Sequence, residues 1–77
     1  MVRVIVGTTT QRQEKNYPAN TTVRTILEDS AIDYSVSQIM LNGSNLEIGT
    51  MDKPISDLGF DLSKPIMLIA VVKAANA

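Results

Sequence analysis

Val2, Val4 and Val6 alternate with Arg3 and Ile5, the two-residue period of a strand with one buried face, and predict a strand over Val2 to Val6. Gly7 followed by Thr8, Thr9 and Thr10 supplies a polar connection suited to a hairpin. The returning strand, Gln11 to Tyr17, is expected from its place in the order, because Gln11, Arg12, Gln13, Glu14, Lys15 and Asn16 offer no apolar face. An edge strand tolerates such a composition: aliphatic stems of Arg and Lys lie on the core, and the charges discourage pairing with other chains. Pro18 ends it. Asn20, Thr21 and Thr22 all suit a helix cap, and Thr22 fits best. Beyond it Val23, Ile26, Leu27 and Ser30 fall on one helical stripe, which leaves Arg24, Thr25, Glu28 and Asp29 facing water.

After a loop containing Asp33 and Ser35, Gln38 to Leu41 reads as a third strand. Asn42-Gly43 then marks a tight hairpin, since both central residues of such a turn need positive φ. Leu46 falls in a brief return strand. Asp52, Pro54, Ile55, Leu58 and Gly59 predict one short helical turn, with Pro near its start and Gly just past its end. The unbroken apolar run Ile66 to Val72 predicts a central strand.

Strand, hairpin, strand, helix, strand, short strand, helical turn and long strand follow one another in the order of a β-grasp. That is an α+β fold in which a mixed four- to five-stranded sheet packs on one helix. The residues resemble the ubiquitin-like family over nearly the whole chain. Gln38-Ile39-Met40-Leu41-Asn42-Gly43-Ser44-Asn45-Leu46-Glu47 looks like the family's third strand and hairpin, Ile55-Ser56-Asp57-Leu58 like its leucine-serine-aspartate turn, and Ile66 to Val72 like its last strand. These are patterns of apolar and turn residues, which speak to fold rather than chemistry. The polar second strand departs from the family's usual alternation. A single domain over residues 1–73 is expected, with residues 74–77 as a flexible tail.

Composition narrows the functional classes. The 77 residues are 44% apolar and 19% charged, the balance of a folded domain. Seven basic and eight acidic side chains are spread along the chain for a net charge of -1, so nothing pulls strongly on nucleic acid or anionic lipid. No stretch approaches the roughly 20 apolar residues of a spanning helix, and the opening residues lack the layout of a secretory signal. A cytoplasmic protein without membrane contact is expected. With no Cys there is no disulfide framework.

The absence of His and Cys also removes the commonest general base, the thiolate nucleophile and the preferred zinc ligands. No catalytic, cofactor or metal residue is assigned. Asp52, Asp57 and Asp61 do not have the spacing of a calcium loop and read as caps and solvated loop charges. Gly7 with the three threonines lacks the lysine and following hydroxyl of a phosphate-binding loop, which leaves a hairpin. Arg12, Lys15 and Tyr17 hint at a stacking and phosphate surface. Single-strand binders need a basic groove studded with aromatics, however, and the chain has only Tyr17, Tyr34 and Phe60.

Alternation assigns the two faces of the sheet. With Val4, Val6, Ile39, Leu41, Ile66, Leu68 and Ala70 turned to the helix, Arg3, Ile5, Met40, Met67, Ile69 and Val71 project from the opposite side. Five of those six are apolar, and each large side chain moved from water into an interface contributes about 1.5–3 kcal/mol. The resemblance places Met40, Met67 and Ile69 in the region that receives ubiquitin-binding domains. The leading expectation is a non-catalytic adaptor or small subunit that binds another protein through this face, with Arg3 and Lys73 at its rim. Dimerisation through the same face is an alternative, as is a small inhibitor or antitoxin. A modifier or sulfur carrier is a further one. Its relatives act through a terminal Gly-Gly, where this chain has Lys73, Ala74, Ala75, Asn76 and Ala77 and no Gly-Gly anywhere.

Overall fold

The β-branched run at the start of the chain forms β1 (Val2–Thr8), two residues longer than its alternation predicts. The computed structural model describes residues 1–72. After a short turn, β2 (Arg12–Tyr17) runs back along β1 in an unbroken antiparallel register from Val2 opposite Tyr17 to Gly7 opposite Arg12. The polar composition of β2 is no obstacle, because a ladder is made by backbone N–H and C=O groups that every non-proline residue carries. Lys15 and Tyr17 are the residues of β2 turned toward the helix and half-buried there.

Thr22 caps α1 (Val23–Asp29) as expected, its Oγ1 accepting the Thr25 N–H at 3.2 Å. Seven residues are too few for a helix to persist alone, so α1 depends on the burial of Val23, Ile26 and Leu27. β3 (Ser37–Leu41) turns through Asn42 (φ 50°) and Gly43 (φ 86°) into β4, which is only Ser44–Asn45. Leu46 lies just beyond β4, though its N–H still donates to the Ile39 carbonyl at 2.9 Å.

Two short 3-10 turns follow. The turn at Ile55–Asp57, preceded by Pro54 and followed by Gly59 at φ 82°, matches the expected one. The turn at Ile48–Asp52 was not legible beforehand, and it drives Met51 into the core. Ile55 N–H to the Thr21 carbonyl (2.9 Å) and Ser56 N–H to the Ala19 carbonyl (3.0 Å) fasten this region to the segment entering α1.

β5 (Ile66–Val72) takes the centre of the sheet, whose order is β2-β1-β5-β3-β4. It runs parallel to β1 and antiparallel to β3, so the sheet is mixed. The core lies between one face of this sheet and α1. Val2, Val4, Val6, Ile39, Leu41, Ile66, Leu68 and Ala70 meet Val23, Ile26 and Leu27 there, closed below by Met51 and Ile55. The result is the five-stranded α+β arrangement of a β-grasp. Lys73, expected at the rim of the open face, and the tail Ala74 to Ala77 lie outside the described residues.

Candidate functional site

Pairing register determines which side chains share the face opposite α1. Across the middle of the sheet the aligned positions read Arg12, Gly7, Ile69, Met40 and Asn45, one from each of the five strands. The neighbouring row holds Glu14, Ile5 and Met67, and on the other side Val71 lies opposite Gln38. The expected residues Ile5, Met40, Met67, Ile69 and Val71 therefore form one contiguous patch on β1, β5 and β3. Arg3, exposed, stands at its margin two residues before Ile5.

The patch is not uniform. Ile69 projects to this face as expected, yet only 8% of it is exposed, which corrects its reading as a freely available contact. It stands mid-row, flanked by Met67 and Val71 on its own strand and by Met40 across the ladder. Ile5, Met40 and Met67 are half-buried and Val71 is exposed. Ile69 thus forms a closed centre, and those four make up an accessible ring around it. Methionine suits two places in the ring because its unbranched thioether adapts its shape to a partner. On the β3 side the edge is polar, with the Gln38 amide donating to the Asn45 side-chain carbonyl.

The face carrying the helix is laced differently. The Arg24 guanidinium clasps the Asp52 carboxylate with two bonds, Nε to Oδ1 at 2.6 Å and Nη2 to Oδ2 at 3.2 Å. Its Nη1 donates to the Tyr34 hydroxyl at 3.0 Å, and that hydroxyl donates to Glu28 at 3.1 Å. The Arg24 hydrogen bonds hold the Asp52 carboxyl below the usual carboxylate range. At the other end of α1 the Tyr17 hydroxyl donates to Asp29 at 2.6 Å, with the Lys15 ammonium 3.6 Å from the same oxygen. Asp29 is lowered by the Tyr17 hydrogen bond and then by the Lys15 charge, while burial pushes the Tyr17 phenol up. These contacts tie loops and the edge strand to the helix. Residues distant in the chain make them, and no local motif marks them.

Arg12, Lys15 and Tyr17 do not gather as a nucleic-acid surface would require. Alternation puts Arg12 on the open face and turns Lys15 and Tyr17 to the helix side, where both engage Asp29. Thr8 ends β1, and Thr9, Thr10 and Gln11 make the β1–β2 connection, across which the Thr8 Oγ1 accepts the Gln11 N–H at 3.2 Å. The three aspartates considered as ligands are dispersed. Asp52 is held by Arg24, Asp57 closes a 3-10 turn, and Asp61 accepts from its neighbour Ser63. Among the described residues no three His, Cys, Asp or Glu side chains are grouped as a metal site would need.

A cleft of about 370 Å³ opens between the end of the β1–β2 hairpin and the segment after α1, over a floor of Val6 and Ala70. Its one carboxylate, Asp33, accepts both the N–H and hydroxyl of Ser35. The cleft holds no acid–base pair.

The fold and this face define a small β-grasp domain with an apolar outer sheet surface. No protein-family model matches the chain, and no curated protein matches it either. Among the described residues no helix is long and apolar enough to cross a membrane.

Proposed function

We propose that this chain is a non-catalytic, ubiquitin-like protein-interaction module, an adaptor or small subunit that docks another protein on its open sheet face. The observation that carries this reading is the ring of Ile5, Met40, Met67 and Val71 around an already covered Ile69, on the face that α1 leaves free. A closed centre resists deformation, and a partly exposed ring is where burial against a partner returns free energy. A few side chains at about 1.5–3 kcal/mol each suffice for a micromolar complex after association costs. Arg3 at the margin supplies orientation rather than affinity. The non-catalytic reading draws on the lack of His and Cys and on the engagement of Asp29, Asp33, Asp52 and Asp61 in structural bonds. The proposed setting is the cytoplasm, which suits a domain held together without disulfides.

The test is a Met40→Lys and Val71→Lys double variant, because both positions accept a charge in the free protein, whereas Ile69 does not. Proteins captured from the native host by the unaltered chain are expected to be lost with this variant while its circular dichroism stays the same. Equal capture by the two folded proteins rules the reading out.

A further inference from the structure

The sheet ends at β2, and the chemistry of that edge favours one particular occupant. The Thr8 N–H donates to the Gln11 carbonyl at 2.8 Å, which sets the phase of the hairpin. Thr8 and Gln11 form a bonded rung, so the next rungs alternate, and at Gly7–Arg12, Ile5–Glu14 and Arg3–Asn16 the β2 backbone points away from β1. The N–H and C=O groups of Arg12, Glu14 and Asn16 therefore face outward, beyond the last strand of the sheet. All three residues are exposed, and neither a proline nor a glycine interrupts β2.

Charges on an edge normally repel other strands, because a strand without matching charges leaves them opposed or unpaired. Here the two charges on the open face are opposite in sign and two residues apart, Arg12 and Glu14. A second copy of the same strand, running antiparallel about a two-fold axis normal to the sheet, must place residues from like faces opposite each other. Centred on Glu14, that pairing sets Glu14 against Glu14. Centred on Lys15, it sets Lys15 against Lys15. Centred on Gln13, it sets Arg12 against Glu14 of the second copy, and Glu14 against its Arg12, with Gln13 meeting Gln13 and Lys15 meeting Gln11. Only this last register makes two opposite-charge pairs and no like-charge pair. In it the outward backbone groups of Arg12 and Glu14 also meet their counterparts. The Arg12 Nε donates to the Thr8 carbonyl at 3.4 Å, and Lys15 is held on the helix side by Asp29 and Ser30. A net charge of -1 leaves little general repulsion between copies.

We propose that the chain self-associates through antiparallel pairing of two β2 edges in the register centred on Gln13, joining two five-stranded sheets into one. The two-fold axis keeps both helices on one side and both open faces on the other. If partners dock on the open face, the dimer presents two such sites side by side, but the pairing itself is independent of that reading.

The experiment is sedimentation equilibrium of the purified full chain over a concentration series, without any partner. The unaltered protein is expected to show a monomer–dimer equilibrium, and Arg12→Glu and Glu14→Arg each weaken it about tenfold by turning both attractive pairs into repulsive ones. An equimolar mixture of the two variants regains association, since every opposed pair is again of opposite sign. Amide exchange at Arg12 and Glu14 slows with protein concentration, while that at Gln13, already bonded to β1, does not. A protein that stays monomeric throughout overturns the proposal. So does a dimer that ignores both charge reversals, or a mixture that associates no better than its components. A dimer lost on Met40→Lys but kept in Arg12→Glu assigns the contact to the open face and also overturns it.

Discussion

Asn42 exchanges two hydrogen bonds with Met67: its backbone N–H donates to the Met67 carbonyl at 2.8 Å, and its side-chain Oδ1 accepts the Met67 N–H at 2.9 Å. The side chain does the work of a peptide carbonyl at the point where β3 turns away at φ 50°. One residue thus supplies both the turn and the last tie between β3 and β5. Asn42→Ala removes the acceptor and places an alanine in the left-handed region, so urea unfolding should show a loss of about 2 kcal/mol. Asn42→Asp keeps an acceptor and tolerates the same φ, and should lose clearly less. Equal losses for the two variants would show that the side-chain bond contributes nothing.

Gly7 is required for a different reason. A Cβ there would lie 2.1 Å from the Gln11 carbonyl oxygen and 2.7 Å from the Arg12 Cα, both backbone atoms of the returning strand. No rotamer change relieves such a clash. Gly7→Ala is expected to destabilise the fold by about 2 kcal/mol or more, with faster amide exchange concentrated in β1 and β2. Gly49→Ala serves as the control, since nothing lies within 4 Å of its Cβ, and it should change stability by no more than about 0.5 kcal/mol.

Acid should weaken the domain in a way traceable to named carboxylates. Asp52 is lowered by Arg24, Asp29 by Tyr17, Asp33 by Ser35 and Asp61 by Ser63. A folded-state value below the unfolded one means a stabilising contribution that is complete above the ordinary carboxylate value of 3.8 and is lost as pH falls through the depressed value. All four groups are solvent-facing, so each contribution is small and their sum sets the slope. Asp52→Asn should lower stability at neutral pH and flatten the decline below pH 3.8. Identical acid limbs in chemical unfolding would exclude the Arg24 pair as a contributor. At the alkaline end the sign reverses. Tyr17 is raised by burial and by Asp29, so its contribution is lost as pH climbs past 10, and Tyr17→Phe should remove that limb.

How far the residues foretold the structure depended on what each element owes to pattern. β1 and α1 bury regular stripes, which alternation and helical period revealed, and β5 was revealed by its unbroken apolar run. Thr22 and Asn42-Gly43 were legible because capping and positive φ demand particular residue types. β2 carries no such mark: its ladder to β1 is made by the backbone groups of Gln13, Lys15 and Tyr17, which any non-proline residue would supply, and the exposed row Arg12, Glu14 and Asn16 adds no apolar face. The turn at Ile48–Asp52 is one 3-10 element with a single buried side chain, too short to show a period, and Met51 gave no signal of its own. In the candidate site, alternation assigned the face of each residue correctly. Coverage was another matter, since the closure over Ile69 is a property of the rows formed by four other strands. Likewise Arg24 and Asp52 meet across 28 residues, and nothing local to either announces the pair.

The parallel alignment of β1 with β5 governs when this protein is able to fold during its synthesis. The strand that fills the centre of the sheet is also the last to leave the ribosome. Until Ile66 to Val72 has emerged, β1 and β3 have no common neighbour, and the apolar face of each remains open to water and to chaperones. Any truncation that removes this segment therefore takes away the keystone of the sheet rather than its fringe, and such a fragment is expected to be degraded as an unfolded polypeptide.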